Sequence, residues 1–154
     1  MALPIVTVSN DGTAAIGRDF AAVGITPGIT LKLTDRWAID FEFVAVGRWE
    51  FGKNGAADRS RTVFVVDPGV VYNFGPVAAG LRLAVGIGDP MNYGVIPIFV
   101  VPFKVSRLLS YFLELDLPVF VTAIAGTPAI GATPAVDSRV VGSFNIQLQT
   151  GFSF

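Results

Sequence analysis

The chain contains no cysteine and no histidine among its 154 residues. Without cysteine there is no disulfide framework, zinc thiolate site or thiol nucleophile. Without histidine, the side chain that most often serves as general base or metal ligand near neutral pH is missing. Charge is scarce too: Asp, Glu, Lys and Arg make up 15% of the residues, against about a quarter in ordinary soluble domains. Eleven basic residues against 12 acidic ones leave a net charge of −1, which offers a nucleic acid no basic surface. An apolar run able to cross a bilayer as a helix is also lacking. The longest charge-free segment, 117–136, carries Pro118, Pro128 and Pro134, whereas a spanning helix needs roughly 20 apolar residues in helical geometry.

What the chain has in abundance is apolar side chains, 52% of the total, with a mean hydropathy of +0.62. High hydrophobicity without a helical span leaves the other structure that satisfies its backbone in lipid, a closed β-barrel. The length suits one domain covering 1–154. Eight strands are predicted: Ala2–Ser9, 20–33, 37–49, 62–74, 77–88, 94–105, 111–123 and 141–154. Connections after the first, third, fifth and seventh are mostly long, and those after the second, fourth and sixth are short. The expected fold is therefore all-β, an eight-stranded antiparallel up-and-down transmembrane barrel with short periplasmic turns and longer external loops. Pro27, Pro68, Pro97, Pro102 and Pro118 fall inside these strands. Each removes a ladder donor, so bulges or strand ends are expected there.

The strands alternate in character. In the last one Phe144, Ile146, Leu148, Phe152 and Phe154 oppose Asn145, Gln147 and Gln149, and in 37–49 Trp37, Ile39, Phe41 and Phe43 oppose Asp40 and Glu42. Such alternation gives one apolar and one polar face. The polar face is rich in Gly, Ala, Ser and Thr, which suit the narrow interior of an eight-stranded barrel. It also holds complementary charges: Lys32, Arg48, Arg82 and Lys104 against Asp40, Glu42, Asp67, Glu114 and Asp116. Folding the hairpins about their short turns sets Lys32 diagonal to Asp40, Asp67 near Arg82 and Lys104 near Glu114, within cross-strand reach. An inward-facing, charge-paired network is the expectation, because isolated buried charges are costly. In strand 94–105 the face shared with Lys104 is apolar at Ile96, Ile98 and Val100. With Phe112 and Phe120 these residues would line a small greasy pocket. Aromatic residues cluster at strand ends in two sets, Trp37, Phe74, Phe103, Tyr111, Phe152 and Phe154 beside short turns, and Phe20, Trp49, Phe51, Phe64 and Tyr93 beside long loops. Two such girdles fit the two interfaces of a membrane.

The turn Thr34-Asp35-Arg36 leading into WAIDFEFVAV, and an alternating last strand closing on Phe154, resemble small eight-stranded bacterial outer-membrane barrels, the architecture of the OmpA transmembrane domain, OmpX and OmpW. The resemblance covers essentially the whole chain and specifies architecture and export route. It implies outer-membrane lipid as surroundings, a monomer, and Phe154 as the signal read by the barrel-assembly machinery. On that reading the chain is the mature form of an exported protein, because MALPIV lacks a signal peptide's features. Acyltransferases, deacylases and proteases built on such barrels rely on a histidine, so their mechanism is excluded here and no enzyme is expected. Asp40 with Glu42, and Glu114 with Asp116, are i, i+2 carboxylates whose expected role is charge balance. No cofactor or metal is expected. Three function classes stand. The first is a structural or surface-exposed barrel with a largely plugged interior. The second is a narrow channel or transporter for small or hydrophobic compounds, and the third a soluble lipocalin-like binding barrel with its faces reversed.

Overall fold

The computed structural model describes residues 1–154 apart from 11, 13, 17–18, 53–56, 89 and 127–136. Among the described residues every regular element is a β-strand. In chain order they are β1 (Ala2–Ser9), β2 (Ala14–Ile16), β3 (Phe20–Ile25), β4 (Gly28–Lys32), β5 (Trp37–Glu50), β6 (Arg59–Asn73), β7 (Ala78–Ile87), β8 (Asn92–Lys104), β9 (Ser110–Asp116), β10 (Val119–Ile124) and β11 (Arg139–Ser153). Six of the eight expected strands are single elements. The strand expected over 20–33 is divided at Thr26-Pro27, and that over 111–123 at Leu117-Pro118. The segment 10–19, expected as loop, contains β2. It folds back on β1 through Val6↔Ile16, Thr7↔Ala15 and Val8↔Ala14, held where Asp19 Oδ2 accepts from Ile16 N.

All pairings are antiparallel and run round in a ring. β5 pairs with β6 along its whole length, from Trp37↔Tyr72 to Glu50↔Arg59. The ladder continues through β7 and β8 to β9 and β10, then to β11, and from β11 to β1. β3 and β4 both pair with β5, and β1 meets β3 through the single pair Ala2↔Gly24. That is the sparsest seam of the ring.

The tight turns follow from local side chains. In the first, the Thr34 hydroxyl accepts from Arg36 N and Trp37 N, while Leu33 N and Thr34 N donate to the Trp37 carbonyl. In the second, Gly75 takes φ +109°, a conformation open to glycine, and Phe74 N donates to Val77 O. In the third, Ser106 Oγ accepts from Leu108 N and Leu109 N, and Val105 N closes on Leu109 O.

Of the bulges or strand ends expected at the prolines, strand ends occur at Pro27 and Pro118, and none of the five prolines shifts the register. β9 and β10 keep one register against β11, Asp116↔Gln147 and Val119↔Phe144, on either side of Pro118. Proline loses its N–H and keeps its carbonyl. The carbonyls remain in the ladder: Pro27 O accepts from Phe43 N, Pro97 O from Leu117 N and Pro118 O from Asn145 N. Pro68 and Pro102 sit opposite Phe41 and Phe112 in register. The register shift in the β1–β11 ladder lies between Pro4 and Val6.

The two faces of the sheet are partitioned the reverse of a soluble domain. Asp40, Glu42, Asp67, Arg82, Glu114, Asp116 and Gln149 are buried, together with a small apolar set centred on Val44, Val46, Val65, Ala84, Ile96 and Ile98. Ile29, Leu31, Phe41, Leu83, Phe99, Val121 and Leu148 are exposed. At the short-turn end lie edge-to-face contacts between Trp37 and Tyr72 (4.8 Å), Tyr72 and Phe74 (4.7 Å), and Tyr111 and Phe152 (5.5 Å). At the other end Trp49, Phe51, Phe64 and Tyr93 are exposed, but Phe20 is buried and turned inward. The alternation of its own strand explains this correction, since position 20 shares a face with Ala22 and Gly24. There it packs beneath the Arg48 guanidinium, 3.9 Å from the ring centroid.

Candidate functional site

The buried charges converge on Arg82, which β7 presents to the inside of the ring. Its Nε donates to Asp40 Oδ2 at 2.9 Å, and Nη2 donates to the same oxygen. Nη1 donates to Glu114 Oε1 at 2.7 Å and to Glu42 Oε2 at 3.1 Å. Gln149 Nε2 donates to both oxygens of Glu42, at 2.9 and 3.0 Å, and the Thr30 hydroxyl donates to Asp40 Oδ1 at 2.7 Å. One guanidinium thus ties β5, β7 and β9 across the interior, and Gln149 adds β11. Arginine suits the position because its planar fork of donors serves several carboxylates at once.

Room for these side chains comes from glycines on the neighbouring strands. Gly69 is opposite Arg82, and a Cβ there would lie 2.5 Å from Arg82 Cγ and 2.7 Å from Leu81 O. Gly28 is opposite Glu42, and its Cβ would lie 2.8 Å from Glu42 Cγ.

Of the nine residues expected in an interior network, six are brought together and buried: Asp40, Glu42, Asp67, Arg82, Glu114 and Asp116. Arg48 stands apart nearer the long-loop end, bonded to Glu50 Oε1 at 3.0 Å and Thr7 Oγ1 at 3.2 Å. Lys32 and Lys104 are exposed, and neither forms a salt bridge among the described residues. Lys32 is diagonal to Asp40, but Thr30 and Arg82 occupy the Asp40 oxygens. Lys104 pairs with Ser110 while Glu114 pairs with Val100, because the turn closes on Val105 and Leu109. That separates the two charges by four residues, about 13 Å along a strand. Phe154 is fully exposed at the chain end. Thr30 and the Phe20–Arg48 contact were not foreseen, although alternation alone places both on the inner face.

Above the Arg82 cluster, toward the long loops, lies a cavity of about 440 Å³. Val44, Val46, Val65, Ile96, Pro118 and Phe120 form its apolar wall, and Asp67, Arg82, Asp116 and Gln149 line its polar end. Of the expected greasy set, Ile96 and Phe120 are here. Ile98, Val100 and Phe112 are not among its lining residues. Asp67 Oδ1 has no hydrogen-bond partner among the described residues, and Asp116 Oδ2 accepts from Gln147 Nε2 at 2.9 Å. The paired carboxylates Asp40 and Glu42 are both engaged by Arg82, which cross-links β5 to β7. Comparison with protein-family models and with curated proteins finds no match to this chain.

Proposed function

We propose that the protein is an integral β-barrel of a bacterial outer membrane, closed by eight strand positions and occluded at mid-height by the Arg82 cluster, with a structural or surface-exposed role. The observation that carries this reading is the reversed partition: carboxylates and a guanidinium inside, large apolar side chains outside. Ile29↔Phe41 and Leu31↔Ile39 are cross-strand pairs whose four members are all exposed, and the apolar surface continues through Leu81, Leu83 and Phe99. Soluble monomers rarely expose contiguous apolar patches beyond a few hundred Å². Covering each such side chain is worth about 1.5–3 kcal/mol, and lipid would cover all of them. Exposed charges gather near the ends, with Lys32, Asp35, Arg36, Lys104 and Arg107 at one and Asp58, Arg59, Arg61, Asp137 and Arg139 at the other. In this reading the short turns face the periplasm, the long loops face outward, and Phe154 at the end of the β11 segment is read by the assembly machinery. The lipocalin-like alternative, with faces reversed, is disfavoured because the inner face holds the charges.

The expected behaviour is dispersal only in detergent or lipid, with migration on SDS gels that changes on heating. A monodisperse protein in plain buffer would overturn the membrane reading.

A further inference from the structure

The cavity above Arg82 has a chemical bias that the cluster itself does not need. Arg82 makes four hydrogen bonds, all to Asp40, Glu42 and Glu114. Asp67 and Asp116, only 1% and 2% exposed, have no salt bridge among the described residues. At the same end of the cavity Asp67 Oδ1, Asp116 Oδ1 and Gln149 Oε1 are buried without a hydrogen-bond donor. Gln149 cannot turn its amide to improve this, since its Nε2 is held by both oxygens of Glu42. All three orphaned atoms are acceptors, and two belong to carboxylates. A buried acceptor left without a donor is destabilising, more so when charged. A ligand able to relieve that cost must bring N–H donors and positive charge to this end.

The rest of the cavity asks for something different. Val44, Val46, Val65, Ile96 and Phe120 give it an apolar wall, while hydroxyl and amide side chains and Arg48 and Arg61, both bonded to Glu50, also line it; Asn92 Oδ1, without a donor, lies on the lining as well. An inorganic cation would gain nothing from valines and Phe120. Among the described residues no three Asp or Glu side chains are grouped to hold a metal ion.

We infer that the cavity binds a small organic cation, a primary ammonium carrying an apolar body, with its head between Asp67 and Asp116 and its body against Val65, Ile96 and Phe120. An alkyl chain of about six carbons gains with each methylene it buries, and the ammonium supplies three donors. The site lies inside the ring, so it stands whether or not lipid covers the outer face.

The test uses the whole protein in a non-ionic maltoside detergent, with hexylammonium, 1-hexanol and hexanoate as probes, and empty micelles as the blank. The three share a tail and differ in the head, and binding is followed by intermolecular NOEs to side-chain methyls. Hexylammonium is expected to bind saturably, with NOEs to Val65 and Ile96 and none to the outward-facing Leu83. Hexanol should bind at least about tenfold more weakly, the worth of one charge-assisted hydrogen bond, and hexanoate not at all. Asp67→Asn, which keeps the shape and removes the charge, should weaken hexylammonium by a similar factor. Equal binding of ammonium and alcohol would reduce the cavity to an unselective apolar pocket and overturn the inference. So would an Asp67→Asn protein, folded by its heat-modifiable migration, that binds as tightly as the parent. If the variant fails to fold, the three-probe comparison on the parent protein decides alone. Failure here leaves the membrane reading intact, because dispersal in buffer is measured separately.

Discussion

Arg82 offers five N–H donors in a fixed fork, and three carboxylates from two strands accept from it while Gln149 steadies one of them. Removing one partner of such a buried set leaves the others charged and unpaired, which typically costs about 3–5 kcal/mol. Arg82→Met keeps much of the volume and none of the charge. It is expected to lower unfolding stability by about 3 kcal/mol or more, measured by urea titration in detergent or lipid. Lys32→Ala and Lys104→Ala, at exposed positions, should change it by no more than about 0.5 kcal/mol. Equal effects at all three sites would mean that the cluster does not hold the ring together. The contrast marks where residue-level reading from sequence succeeds and where it stops. Alternation is imposed by the strand backbone, so the inward facing of Asp40, Glu42, Asp67, Arg82, Glu114, Asp116 and Gln149 was legible. How far along the interior each charge sits was not. Lys32 and Lys104 share the inner parity yet lie where the strands run out.

At the scale of elements, eight strand positions were legible because turn chemistry punctuates them: Thr34 in the first tight turn, Gly75-Pro76 in the second, Ser106 in the third. The hairpin between β8 and β9 shows the limit. Placing its turn one step too late moved Lys104 toward Glu114, which in the folded protein reaches Arg82 across the ring. Cross-ring contacts are invisible to a rule that knows only adjacent strands. Prolines ended strands at Pro27 and Pro118 as expected, but Pro68, Pro97 and Pro102 stay inside strands without a bulge, since an in-register proline still presents its carbonyl. The ladders also differ in strength. β5 and β6 share fourteen paired positions, from Trp37↔Tyr72 to Glu50↔Arg59, whereas β1 and β3 share the one pair Ala2↔Gly24. Local opening follows such differences in pairing. In hydrogen exchange, β3 amides should therefore exchange on the order of tenfold faster than those at the centre of β5. Equal protection would show that the sparse seam is not a weak point.

For the molecule as a whole, the Arg82 cluster sits between two openings and ties opposite walls together. If the ring closes as the proposed eight-stranded barrel, its interior is one that side chains fill, and the filling is bonded rather than merely present. No steady open-state current is therefore expected from single molecules in a planar bilayer, and a sustained conductance would overturn the occluded reading. The separation of the cluster's members along the chain also sets an order of events. Arg82 lies 42, 40 and 32 residues from Asp40, Glu42 and Glu114. Within its own hairpin the nearest carboxylate is Asp67, diagonal to it across the β6–β7 ladder. The guanidinium cannot be fully neutralised until β5 and β9 stand on either side of it. The cluster is thus a latch that drops after the walls are in place and must lift before they part. Its loss should shorten the lifetime of the folded protein far more than it slows assembly.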